Sequence, residues 1–106
     1  MNIIGSFTQD GETFNGSIQT LAFSGPATLE PVLEKLSENS PDYRMYTTRT
    51  RLNGRVQIGA GWKERSEGGK PYVAVRLDDP SFPAPIFCRL VKLEGQEGHS
   101  LIWSRN

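Results

Sequence analysis

Histidine and cysteine, the side chains most used to hold transition metals and to attack carbonyls, occur once each in this chain, as His99 and Cys88. One cysteine excludes an intrachain disulfide and points to a reducing compartment. A zinc site or a Ser–His–acid triad needs several convergent partners. His99 and Cys88 offer two ligands with no spacing signature, so they read as a surface histidine and a buried thiol. Long apolar runs are also missing: none approaches the roughly 18 residues of a membrane span. The opening "MNIIGSFTQDGE" lacks the basic region and apolar core of a secretory signal. Net charge is zero, with 12 bases against 12 acids, so no global field selects one partner class. "GAGWKERSEGG" lacks the GKS or GKT ending of a phosphate loop. These absences give the expectation of a cytoplasmic protein without a membrane partner. They leave no catalytic residue, metal site or cofactor legible, so the chain does not read as an enzyme.

What is present is a foldable β pattern. At 36% hydrophobic residues the 106-residue chain lies outside the composition of disorder, and its length suits one domain over residues 1–106. "DGE" after "IIGSFTQ", "NG" inside "RTRLNGRV", "SEGGK" and "EGQEG" are turn signals between short β-rich runs. "TFNGSIQTLAF" alternates through Phe14 and Ile18 and then changes parity to Leu21 and Phe23, which together with Gly16 predicts a bulge or bend. "YVAVRL" alternates, with Val73, Val75 and Leu77 inward. "VQIGAGW" groups Trp62 with Val56, Ile58 and Ala60, which predicts a core position for Trp62. "IFCRLVKL" is apolar on both parities and predicts a strand covered on both sides. "ATLEPVLEKLSENS" fits a helical face through Leu29, Val32, Leu33 and Leu36, yet Pro31 also suits an edge strand. Its β surroundings favour the extended reading, with one short helix as the alternative. Together these runs predict an all-β fold: a small single-domain antiparallel curved sheet or an OB-like barrel of about 7–8 strands.

Four blocks carry a family resemblance: "IGSFT" with "GSIQTL", "PDYRMY" at 41–46, "IGAGWKERSEGGKPYVAVRLDDPSFPAPIF" at 58–87, and "LIWSR" at 101–105. With them the chain resembles the bacterial domain-of-unknown-function family number 736. The resemblance implies a small protein of the kind encoded on plasmids and conjugative or integrated elements, and it carries no catalytic residues over. The stretch "TTRTRLNG" is longer than the family's usual link and adds Arg49 and Arg51.

Charge is unevenly spread. Residues 1–41 hold five acids and one base, and residues 42–106 hold eleven bases and seven acids. Arg44, Arg49, Arg51, Arg55 and Lys63 interleave with Tyr43, Tyr46 and Trp62. Basic grooves with aromatic platforms bind single-stranded nucleic acid, each stacked base contributing about 1–3 kcal/mol. The expected contacts are Arg44, Tyr46, Arg49, Arg51, Arg55 and Lys63, and the expected partner is nucleic acid. Arginine forks match carboxylates equally well, so an acidic or nucleic-acid-handling protein is the alternative partner. On that reading the chain inhibits a host defence system, in the manner of anti-CRISPR or anti-restriction proteins. The acidic segment around Glu30 and Glu34 is also suited to pair with the basic hairpin, within one molecule or across a homodimer. In "RLDDPSFPAPIF", Asp78 and Asp79 would diverge on a strand and read better as turn caps than as metal ligands. Pro80, Pro83 and Pro85 read as a rigid corner. Asp79 and Phe82 mark it as a docking corner, with Phe82 either plugging the core or exposed.

Overall fold

The computed structural model describes residues 2–20, 24–47, 55–79, 82–92, 95 and 97–103. Eight antiparallel strands close into one barrel: β1 (Asn2–Asp10), β2 (Thr13–Gln19), β3 (Ser24–Pro31), β4 (Tyr43–Thr47), β5 (Val56–Arg65), β6 (Pro71–Leu77), β7 (Ile86–Val91) and β8 (His99–Trp103). Each strand pairs with its chain neighbours, and β8 pairs with β1 to complete the ring. The all-β expectation holds, in its barrel form, with up-and-down connectivity. Closure leaves no unpaired sheet edge to template association with another chain.

An eight-stranded barrel is just wide enough for its inward side chains to fill it. Phe7, Phe14, Ile18, Leu29, Met45, Val75, Leu77, Leu90 and Leu101 do so, each at most 4% exposed. Burying such a side chain is worth about 1.5–3 kcal/mol. Gly16 faces Phe7 across the β1–β2 ladder. A Cβ there would lie 1.9 Å from the Ser6 carbonyl oxygen, so only glycine permits this approach. The ladders on both sides of β2 are regular. Gly16 itself carries no bulge, and the absent side chain serves packing; Leu21 and Phe23, where the parity changes, fall outside the described residues.

Across residues 27–40 the extended reading holds as far as Pro31, where β3 ends, and the helical alternative does not: residues 32–42 run as an irregular loop. Leu29 is fully buried while Leu33 and Leu36 are 95% and 91% exposed, so their helical spacing marks no common face. Pro31 is not on an edge strand, since β3 lies between β2 and β4. Trp62 is not core. The β4–β5 register shifts between Met45 and Tyr46, leaving Ile58 as an extra residue in β5. That bulge reverses the parity, so Ile58 points inward and Trp62 outward, level with Ala74 of β6. Finally, β7 is covered on one side only: Cys88 and Leu90 are buried, while Phe87 is 67% exposed and Arg89 lies in solvent.

The meander sorts its loops to two ends. Residues 11–12, 32–42 and 66–70 lie at one mouth of the barrel, where β7 ends and β8 begins, and residues 78–79 and 82–85 lie at the other, where β2 and β4 end and β3 and β5 begin. Gly11, Gly69, Gly95 and Gly98 supply the positive φ that the turns at the first mouth require.

Candidate nucleic-acid interface

Strand register builds a basic-aromatic surface on the outside of the barrel. Glu30, Arg44, Ala60, Arg76 and Phe87 lie side by side across β3 to β7. One step along the strands, Trp62, Ala74, Arg89 and Ile102 form a second row across β5 to β8. Because side chains alternate, both rows point out. The two alanines leave a low floor, and the long side chains rise around it. They border a groove of about 740 Å³ lined by Trp62, Tyr72, Arg76, Phe87 and Arg89 among others. The Arg76 guanidinium stands 5.4 Å from the Trp62 ring centre, and that of Arg89 stands 5.3 Å from the Tyr72 ring centre. Such cation–π pairs hold the arginines upright on aromatic faces at a gain of about 0.5–1 kcal/mol each. Glu64 is the acid in the groove lining. Trp62 is fixed further by its indole Nε1, which donates to the Asn39 carbonyl at 3.1 Å.

The residues expected from sequence divide. Arg44 is exposed in the outer row, and Tyr46 follows it on β4, half-buried. The Arg55 guanidinium lies over the Tyr46 ring at 4.0 Å and forms an ion pair with Glu30. Arg44, Tyr46 and Arg55 are therefore one cluster, partly neutralised by Glu30. This is the internal pairing of acidic segment and basic hairpin that the charge asymmetry suggested. Lys63 lies elsewhere, toward the first mouth, with its Nζ 5.8 Å from the Tyr43 ring centre. Its backbone N–H donates to Asp42 Oδ2 at 2.8 Å. That bond, aided by the Lys35 ammonium 3.0 Å away, holds the Asp42 carboxyl below its ordinary range. Arg49 and Arg51 fall outside the described residues.

At the docking corner, the Phe82 N–H donates to the Asp79 carbonyl at 2.8 Å, closing a tight turn. Phe82 is partly buried and packs against the core, as do Ile4 and Ile86. Cys88 is buried, which pushes its thiol up to about 12. Among the described residues, no group of three or more His, Cys, Asp and Glu side chains gathers in a metal-binding arrangement.

Tyr72, Arg76, Phe87 and Arg89 were not singled out from the sequence. The outward parity of Tyr72 and Arg76 in "YVAVRL" was the available signal for two of them. Phe87 and Arg89 were hidden by the apolar look of "IFCRLVKL", whose outer face only a closed barrel exposes.

Comparison with known proteins gives one family match: the family described as protein of unknown function (DUF736) matches residues 3–106. No curated protein and no solved structure matches the chain. Among the described residues, no helix is long and apolar enough to cross a membrane.

Proposed function

For this chain, which belongs to the DUF736 family, we propose a non-enzymatic role: binding single-stranded nucleic acid on the outside of the barrel. The working setting is that of a cytoplasmic accessory protein of a mobile genetic element. The observation that carries the reading is the pairing of Arg76 with Trp62 and of Arg89 with Tyr72 beside the exposed Phe87. Flat rings offer stacking to any base, and the adjacent guanidiniums offer charge to the phosphates that follow. Arg44 and Tyr46 extend the same face, with Arg55 beside Tyr46 and Lys63 toward the first mouth; Arg49 and Arg51 are further expected contacts. The outer face of a narrow barrel is convex, which suits a flexible single strand better than a stiff duplex.

The test is fluorescence anisotropy of labelled single-stranded and duplex oligonucleotides at about 50 mM and about 200 mM salt. The reading expects salt-sensitive binding with single strands preferred. It expects at least a tenfold loss in an Arg76→Ala/Arg89→Ala variant, and a further loss when Arg49 and Arg51 are also changed to alanine. Absence of binding at the lower salt overturns the reading.

A second reading, a protein-binding inhibitor of a defence system, draws on Leu33 and Leu36. Both stand almost fully exposed in the loop that Asn39 ties to Trp62. Exposed leucines beside a basic-aromatic face suit a protein partner, and such an interface weakens less with salt than phosphate binding does. Binding that resists salt and is lost in Leu33→Ser/Leu36→Ser favours this second reading.

A further inference from the structure

Ala74 sits at the centre of the outer groove. Its cross-strand neighbours are Trp62 on β5 and Arg89 on β7, and its same-face neighbours along β6 are Tyr72 and Arg76. Four long side chains therefore surround one methyl group, which makes a well in the groove floor. Trp62 and Tyr72 are diagonal neighbours, a relation that sets side chains about 7–8 Å apart. That gap is about twice the roughly 3.4 Å spacing of stacked bases, so it leaves room for one flat base. Glu64 stands at the corner of the well, directly opposite Tyr72 and next to Trp62 on the outer face of β5. It is exposed, and among the described residues no cation pairs with its carboxylate. An unpaired carboxylate works against phosphate binding in a groove built from arginines, unless it accepts a hydrogen bond from the ligand.

We propose that this well takes one base of a single strand and that Glu64 selects guanine. The selection rests on the nucleic-acid reading above, since it concerns the same face. Stacking is blind to sequence, because every base has a π-face. An edge contact is not. A carboxylate only accepts hydrogen bonds, so it favours the base edge with the most adjacent donors. The Watson–Crick edge of guanine carries two, N1–H and an N2 amino hydrogen, spaced to meet both carboxylate oxygens. Cytosine and adenine each offer one amino group beside a ring-nitrogen acceptor. Thymine and uracil offer one N–H between two carbonyls, which repel the carboxylate. In a duplex this edge is taken by the partner base, so the contact also demands an unpaired strand. Arg76 and Arg89, held against Trp62 and Tyr72, are left to meet the flanking phosphates.

The test is fluorescence anisotropy of the full chain, at about 50 mM salt, with short labelled thymidine strands. Each carries one central guanine, hypoxanthine, adenine, cytosine or thymine. A uridine series with the same central bases, uracil replacing thymine, repeats the test for RNA, and the series that binds more tightly identifies the sugar. The guanine strand should bind on the order of tenfold more tightly than the all-thymine strand, the scale of one bidentate base contact. Hypoxanthine keeps N1–H but lacks the N2 amino group, and should lose most of that gain. Glu64→Ala should abolish the guanine preference and strengthen binding of the all-thymine strand, because a charge that repels phosphates is gone. Ala74→Leu fills the well and should abolish the preference as well. Equal affinity for all the strands of both series overturns the inference and leaves the nucleic-acid reading standing. So does a guanine preference that survives either substitution, or an equal loss of affinity for every strand in Glu64→Ala, which marks a structural role. Absence of binding by any strand overturns the nucleic-acid reading and the inference with it.

Discussion

The guanidinium of Arg76 lies 5.4 Å from the centre of the Trp62 ring, and both side chains stand on the outside of the barrel. The pair places an indole where a bound strand would reach it. Trp103, by contrast, packs partly buried against the core.

Trp62→Phe should therefore separate binding from folding. Single-stranded DNA is expected to quench the tryptophan emission of the native protein, and the variant should lose most of that quenching. Stability should change by less than about 1 kcal/mol, since Trp62 contributes little to the interior. Urea unfolding and a fluorescence titration measure the two effects. Quenching that survives the substitution moves the contact surface away from β5.

How much of this surface was legible depended on whether a strand kept a single parity. Val73, Val75 and Leu77 were readable as core because β6 alternates without interruption between a filled interior and solvent. Trp62 was not readable, because the extra residue at Ile58 reverses the faces of β5 and only the partner strand reveals it. Leu29, Val32, Leu33 and Leu36 mimic a helical stripe, but pairing of Leu29 with Phe14 and Met45 commits the segment to the sheet. The single cluster of Arg44, Tyr46 and Arg55 was accessible from charge pattern alone. The groove across β5, β6 and β7 needed the barrel's register, which no local pattern encodes.

Gly16→Ala tests the tightest point of the wall. The new methyl carbon would fall 1.9 Å from the Ser6 carbonyl oxygen and 2.8 Å from Phe7 Cα. Backbone must move to admit it, and overpacking of this kind costs about 3 kcal/mol. Gly11→Ala is the comparison: space is open there, but φ is +63°, a conformation that costs a side chain about 1–2 kcal/mol. Urea midpoints should rank wild type above Gly11→Ala and Gly11→Ala above Gly16→Ala. Equal midpoints for Gly16→Ala and wild type would contradict the close approach.

Cys88 should be chemically silent in the folded protein. Its thiol is buried in the core and pushed up to about 12. At pH 8 the thiolate fraction is then on the order of 10⁻⁴, and the thiolate is the reactive form. Iodoacetamide labelling followed by mass spectrometry should show slow modification in buffer and rapid, complete modification in denaturing urea. Fast labelling of the native protein would place Cys88 outside the core.

Two groups at the first mouth set the acid limb of stability, in separate pH windows. His99 has its pKa lowered from 6.5 by burial first and by Lys92 second. Between its folded pKa and about 6.5 the unfolded chain binds a proton that the folded chain does not, so stability falls as pH drops below 6.5. Asp42 has its pKa lowered from 3.8, chiefly by the Lys63 backbone N–H against opposing desolvation. Its contribution is fully present above 3.8 and is lost as pH falls through its folded pKa. Thermal unfolding followed from pH 8 to pH 2 should show Tm declining in two steps. His99→Gln should flatten the upper step alone and Asp42→Asn the lower step alone. A single step common to wild type and both variants would assign the acid sensitivity to other groups.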